Sequence, residues 1–282
     1  AMTGYVRNLD PTRPVTMVKD NMNSVQFEQY KYLDVHAWNY GRRYMPAREA
    51  APDKPVIISE SASTLSTRGF YDPNLPKEKT DLYNTSHQLS SYDMNAPWWA
   101  EPADYDFYWQ EVDTFVVGEF VWTGFDYIGE PTPYNSDAVE EYGIKIEQTA
   151  KSSFFGIVDL CGIPKDRYYL YKSLWKPEET TLHILPHWNW EGHESETIPV
   201  FVYTNENEAE LFLNGKSLGR REKMPQSENI FEKYRLMWMD VNYEPGELKA
   251  VAYKDGENIG EAVVRTSSKP HQLRLTPERE SA

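Results

Sequence analysis

The sequence predicts an α/β unit followed by an all-β unit: half of an eight-stranded (β/α)8 barrel, then a β-sandwich of immunoglobulin-like size. Up to about Lys176, short apolar strands alternate with longer polar or amphipathic connections, the pattern of βα units. Past that point the runs are short and alternate apolar with polar. Two of their connections, Asn214-Gly215 and Asp255-Gly256, are dipeptides that favour type I′ turns between antiparallel strands.

In chain order, Tyr5 to Thr16 reads as a helix end feeding a strand. The candidate parallel strands are Val15 to Val18, Tyr32 to Trp38, Val56 to Ser59 and Phe115 to Trp122, and four of them make half a barrel. Ser90 to Val112 reads as helical, its apolar faces supplied by residues such as Tyr92, Trp99, Tyr105 and Trp109. Tyr127 to Lys151, rich in Pro, Gly, Asn and Glu, is a connection of the length that is usually functional or mobile. Arg167 to Trp175 reads as the closing helix. The composition changes at Lys176-Pro177-Glu178-Glu179, which divides the chain into domains 1–177 and 178–282. In the second, Thr181 to Leu185, Ile198 to Thr204, Ala209 to Leu213, Tyr234 to Trp238, Gly246 to Tyr253 and Glu261 to Arg265 predict the strands of the sandwich. Pro277 to Ala282 reads as a frayed end.

Composition removes several classes of function. With 29 Lys and Arg against 44 Asp and Glu, the formal charge of −15 would repel a phosphate backbone and an anionic membrane surface. No apolar run approaches the ~20 residues that span a bilayer. The opening residues lack a signal-peptide pattern and read as a cut within a longer protein. The single cysteine, Cys161, rules out an internal disulfide framework and a multi-thiolate metal site. None of the six histidines has metal-site spacing, so metal catalysis is disfavoured. Nucleophile-elbow, phosphate-loop and dinucleotide signatures are absent. What stands out is the aromatic content, with 9 Trp and 20 Tyr, side chains that stack on sugar faces while donating hydrogen bonds.

Pro55-Val56-Ile57-Ile58-Ser59-Glu60-Ser61-Ala62-Ser63 delivers a carboxylate at the end of an apolar β-branched run, as a parallel barrel presents one at its C-terminal rim. Glu60 is then a nucleophile or general base; the bland alternative is a carboxylate that caps a turn or pairs with Arg68. The strand Phe115 to Trp122 leads into Trp122-Thr123-Gly124-Phe125-Asp126-Tyr127, an aromatic platform flanked by Glu119 and Asp126. Glu119 is the weaker second carboxylate, because it and Trp122 face opposite sides of a regular strand. In Asp34-Val35-His36-Ala37-Trp38-Asn39-Tyr40-Gly41-Arg42-Arg43-Tyr44, Tyr40 could hydrogen-bond a neighbouring carboxylate and Asn39 a substrate hydroxyl. The alternative there is a loop whose Arg42 and Arg43 make surface ion pairs. His187-Trp188-Asn189-Trp190 reads as a sugar-binding loop on composition, or, preferred for its place near the boundary, as an aromatic plug between domains.

These motifs, with Leu9-Asp10-Pro11-Thr12-Arg13-Pro14, Gly129-Glu130-Pro131-Thr132-Pro133-Tyr134, Phe155-Gly156-Ile157-Val158-Asp159 and Ala209-Glu210-Leu211-Phe212-Leu213-Asn214-Gly215-Lys216, resemble glycoside hydrolase family 2, most closely its bacterial β-galactosidases. The resemblance covers nearly the whole chain. It implies the C-terminal half of a TIM-barrel glycosidase domain followed by an immunoglobulin-like sandwich. It also implies a retaining exo-β-glycosidase in which one carboxylate attacks the anomeric carbon and a second carboxyl group protonates the leaving oxygen. By motif, Glu60 takes the nucleophile's position, Tyr40 the tyrosine that hydrogen-bonds it, Asn39 a place beside it and Trp122 the sugar-stacking wall, with His36 and Asp126 as further lining positions. The family's acid/base lies in an Asn-Glu pair upstream of the segment that opens this chain. Asn205-Glu206 and Asn207-Glu208 belong to the sandwich and are no substitutes. The implied partners are a carbohydrate substrate and the N-terminal part of the same enzyme, with homo-oligomers left open. No cofactor is required, and a structural or activating cation is left open. The resemblance favours a bacterial, periplasmic or secreted protein. β-Glucuronidase is the chief competitor, its substrate carboxylate needing a cation that Arg42, Arg43 or Lys151 could supply.

Overall fold

The computed structural model describes residues 2–21, 23, 28–81, 87–135, 150–274 and 276. Helix α1 (Met2–Leu9) precedes β1 (Val18–Lys19) and β2 (His36–Asn39). Then follow α2 (Met45–Ala50), β3 (Val56–Ala62), α3 (Ala103–Val112), β4 (Val116–Trp122) and α4 (Asp166–Trp175). The four strands pair in parallel in the order β1-β2-β3-β4, as the βα pattern predicts. Trp38, Tyr44, Val56, Ile58 and Val116 form one buried cluster of this unit. Among the described residues the sheet ends at β1 and β4 and does not close on itself.

Three expectations fail on local grounds. The strand expected over Val15 to Val18 is only Val18–Lys19, since the Val15 N–H goes to the Asp34 carboxylate instead of a strand partner. The strand expected from Tyr32 starts only at His36, because Glu28–Tyr32 is a 3-10 helix. The helix expected over Ser90 to Val112 forms only from Ala103. Pro97 and Pro102 have no N–H to donate, and buried Asp93 holds φ at 55°. Residues 136–149 of the long connection and residues 277–282 lie outside the described residues.

Strand β3 carries a bulge that decides where Glu60 points. Trp38 and Asn39 of β2 face Ile58 and Glu60, while Glu119 and Val121 of β4 face Ile58 and Ser61. Against both neighbours β3 therefore holds one extra residue at Ser59-Glu60, and a bulge re-aims the side chains beyond it. Strand β4 has a bulge of its own between Val116 and Glu119, where Gly118 takes φ 153°.

The second half is an antiparallel sandwich. One sheet orders β5 (Leu182–Leu185), β6 (Thr197–Thr204) and β9 (Leu236–Asn242). The other orders β11 (Glu257–Arg265), β10 (Glu247–Lys254), β7 (Glu208–Leu213) and β8 (Lys216–Glu222). Their inner faces meet in a core of Ile184, Val200, Val202, Leu211, Trp238 and Leu248. Both predicted hairpin turns form, with Asn214 and Gly215 at φ 50° and 80° and Asp255 and Gly256 at 53° and 83°, the positive pair a type I′ turn requires. Strand β8 was not legible because its residues, Lys-Ser-Leu-Gly-Arg-Arg-Glu, lie on an exposed sheet edge with no apolar face. Strand β9 begins at Leu236 because Ile230–Tyr234 forms a short helix, α5, capped by the Asn229 side chain.

Trp188 and Trp190 belong to the sandwich core, against which Tyr71 of the first half packs, and His187 reaches across, edge-on to Tyr71 at 5.2 Å. The halves are joined by buried charge. Arg235, at the C-terminal end of α5, forks onto Asp104 of α3 at 2.8 and 2.5 Å and donates to the Tyr92 and Asp93 carbonyls. Arg167 of α4 pairs with Asp93 at 3.3 Å, and Tyr203 of β6 donates to the same carboxylate.

Candidate active site

The ends of β2 and β3 bring Tyr40 and Glu60 together through backbone and side chain at once. The Tyr40 N–H donates to the Glu60 carbonyl at 2.7 Å, and the Tyr40 hydroxyl donates to Glu60 Oε2. The bulge makes this geometry, since Asn39 pairs directly with Glu60 across the two strands. Beyond Asn39 the chain turns sharply, with Tyr40 and Gly41 both near φ 55°. Ser59 Oγ donates to Asn39 Oδ1 at 2.9 Å, fixing the amide beside the carboxylate. Burial, then the bond to Glu60, raises the Tyr40 pKa, so the phenol keeps its proton and remains a donor. Trp99 packs edge-on against Tyr40 at 4.6 Å, and its carbonyl accepts from Arg43 at 2.9 Å. Trp99 was read from sequence only as a helix face.

Glu60 does not pair with Arg68, whose guanidinium donates to Asp159 at 2.5 Å. Trp122 closes β4 opposite Ala62, two residues past Glu60, and meets Tyr127 edge-on at 6.0 Å; its peptide bond to Thr123 is cis. His36 and Asp126 have partners of their own. His36 sits at the opposite end of β2 from Asn39, 1% exposed under the Tyr30 ring at 4.0 Å. Burial lowers its pKa, so the ring is neutral near pH 7. Asp126 is spent on its own loop, where its carboxylate pairs with buried Lys165 at 2.6 Å and accepts the Gly156 N–H at 2.7 Å. Burial, helped by the Arg167 charge, lowers the Lys165 pKa to about 8. Glu119 turns toward α3 and accepts from Gln110 at 2.9 Å.

Sequence reasoning missed the support under β3. Asp106 of α3, fully buried, accepts the Ala62 N–H at 2.7 Å. Ala62 and Ser63 hold φ at 56° and 63°, so this bond fixes a left-handed turn directly after Glu60 and Ser61. Burial and then the nearby Glu119 charge raise the Asp106 pKa well above the carboxylate range. Only a contact between residues 44 positions apart carries this information.

The proteins this chain is similar to are named as glycosidases. The chain is 38% identical to β-galactosidase BoGH2A of Bacteroides ovatus over 99% of its own length and 31% of the relative. It is 30% identical to a putative β-glucuronidase of Formosa agariphila over 98% of its length and 27% of that protein. Among solved structures, a β-glycosidase from Bacteroides vulgatus superposes with a TM-score of 0.74 at 27% identity, covering 99% of this chain and 35% of that one. A glycosyl hydrolase family 2 member from Bacteroides cellulosilyticus gives 0.68 at 27% identity, over 99% and 33%. A family described as a domain of unknown function (DUF4982) matches residues 195–260, within the sandwich. The likeness to glycoside hydrolase family 2 thus runs through essentially the whole chain. The chain spans about a third or less of the length of these relatives.

Proposed function

We propose that this chain carries the nucleophile's half of a retaining exo-β-glycosidase, most closely a β-galactosidase that removes terminal non-reducing β-D-galactosyl residues. The barrel that completes it, with its acid/base glutamate, lies upstream. The observation that carries this reading is the double tie of Tyr40 to Glu60 at the β3 bulge. With Tyr40 donating to Oε2, Glu60 Oε1 is left to attack the anomeric carbon. The glycosidic bond breaks as the ester forms, and the upstream acid protonates the departing oxygen; water then attacks the same carbon, gives its proton back to the upstream acid and releases Glu60 as a carboxylate. Asn39 binds a sugar hydroxyl, and Trp122 stacks on the apolar face of the ring.

Two alternatives fare less well. A uronic acid substrate needs a cation: Arg42 is held by both oxygens of Asp113 at 2.8 and 2.7 Å and Arg43 bonds the Trp99 carbonyl, which leaves exposed Lys151 as the cation that reading would use. A binding module built on Trp188 and Trp190 needs open indole faces. Both are buried in the sandwich core, their N–H groups donating to the Glu244 and His187 carbonyls.

Loss of a leaving-group acid costs ~10²- to 10⁴-fold in rate, so the chain alone is expected not to hydrolyse a nitrophenyl β-galactoside. Turnover that disappears in Glu60→Gln would show the chain self-sufficient and refute the division of the site. In the protein carrying the upstream segment, an activated 2-deoxy-2-fluoro-β-galactoside should label Glu60. A label on another carboxylate would remove Glu60 from the nucleophile's role.

A further inference from the structure

A cavity of about 340 Å³ that Glu60 does not line lies between α3, the segment 76–79 and helix α5; one of its residues, Glu101, donates its N–H to the Ala62 carbonyl. One wall is aromatic. Tyr105 and Trp109 stand one helical turn apart on α3, part-exposed, with ring centroids 5.8 Å apart. The facing wall is polar and already ordered: the Asp81 carboxylate accepts the N–H groups of residues 77 and 78, and the Lys79 carbonyl accepts from Ala96 N and Asn95 Nδ2. Between the walls, Lys79 pairs with Glu101 at 2.5 Å. After its bonds to Glu101 and the Ala100 carbonyl, the Lys79 ammonium keeps one N–H and Glu101 its second oxygen among the described residues. Met94 and Phe231 make the floor.

Two aromatic rings tilted 47° to each other, beside a paired donor and acceptor, match one ligand chemistry closely. A pyranose has a C–H face that stacks on an aromatic ring and hydroxyls at its edge that both donate and accept. The lining holds two lysines against two glutamates, the Asp81 carboxylate adds a further negative charge behind it, and the chain carries −15 overall, so an anion gains nothing here. The volume is that of a small-molecule pocket.

We infer that this cleft is a second saccharide site, separate from Glu60, in which Tyr105 and Trp109 stack on a neutral sugar unit while Lys79 and Glu101 bond its hydroxyls. The choice of a sugar rests on the glycosidase reading; the existence of a preformed site does not. Such a site would hold a neighbouring stretch of a glycan chain near the enzyme without taking part in the chemistry.

The test is calorimetric titration of the chain with β-1,4-galactotetraose, repeated on Tyr105→Ala, Trp109→Ala and Glu60→Gln, each checked for an unchanged thermal transition. Binding should weaken by about tenfold or more with either aromatic truncation, the loss of a stacked ring, and be unchanged in Glu60→Gln. Since the Trp109 indole reaches Gly41 beside Tyr40, Tyr105→Ala is the decisive variant if Trp109→Ala melts early. No binding to the parent chain overturns the site and leaves the role of Glu60 untouched. Binding lost in Glu60→Gln but kept in Tyr105→Ala places the sugar at Glu60 and equally overturns it.

Discussion

In the sandwich, β7 turns into β8 and β10 into β11 through two-residue hairpins, and those strands end as soon as their turns allow. In the parallel sheet each strand needs a long crossover to reach its neighbour, and the exits of β2 and β3 are irregular, with Tyr40, Ala62 and Ser63 all at positive φ. The sandwich core is sealed on both sheets. One region is built for closure and the other for presenting side chains at strand ends, and a parallel sheet separates those duties because every strand exits on the same side. Strain and polar groups that would weaken a sandwich hairpin are what aim Glu60.

The comparison should be easiest to break at the joint. Arg235 and Asp104 are both 0% exposed at their side chains. Removing one charge leaves the other buried alone, so Arg235→Met is expected to destabilise the chain by about 3–5 kcal/mol in urea melts. Adding Asp104→Leu should recover much of that loss. If the single variant unfolds the sandwich and the parallel unit in separate transitions, the two regions do not share one cooperative fold.

Next in size is the support beneath β3. Asp106→Leu strands the Ala62 N–H and should cost about 1–3 kcal/mol, whereas Asp106→Asn keeps an oxygen for it and should be nearly neutral. Equal losses in both variants would mean that Asp106 serves as a charge rather than as an acceptor.

A pH-dependent effect is expected at Asp93. Burial raises its carboxyl from 3.8 to about 6, with the Arg167 charge opposing and the Asp166 charge adding to the rise. The folded state therefore binds the proton more tightly than the unfolded chain. That contribution is complete below pH 3.8 and is lost as pH rises through about 6. Relative to Asp93→Asn, the parent should lose stability across that window; parallel curves would show that Arg167 keeps the group ionised throughout.

The smallest stability change, within about 1.5 kcal/mol, is expected for Tyr40→Phe, which removes one partly buried hydrogen bond. In the protein carrying the upstream segment the same variant should sharply reduce turnover. Full activity would detach Tyr40 from the role its geometry suggests.

Much of the strand pattern was legible because strand periodicity and turn chemistry reside in adjacent residues. The four parallel strands, the closing helix Asp166–Trp175 and both hairpins followed from alternation, apolar runs and two Xaa-Gly dipeptides. The same local logic over-extended the helix before Ala103, where prolines and a left-handed aspartate override aromatic spacing, and it passed over β8, whose edge position needs no apolar face. Motifs likewise picked out Glu60, Tyr40 and Trp122, but not what surrounds them. His36 and Asp126 show the limit: each lies near a motif in sequence, yet one is buried at the far end of its strand and the other is tied to Lys165.

By itself, then, the sequence determined which segments become strands and that a carboxylate ends one of them, since both are written in neighbouring residues. Tertiary structure alone decided where that carboxylate points. Its aim depends on a one-residue bulge measured against two other strands, on a tyrosine 20 positions away and on an aspartate reaching the next turn from another helix. Register between distant segments is set by the packing of the whole sheet, and no window of adjacent residues contains it.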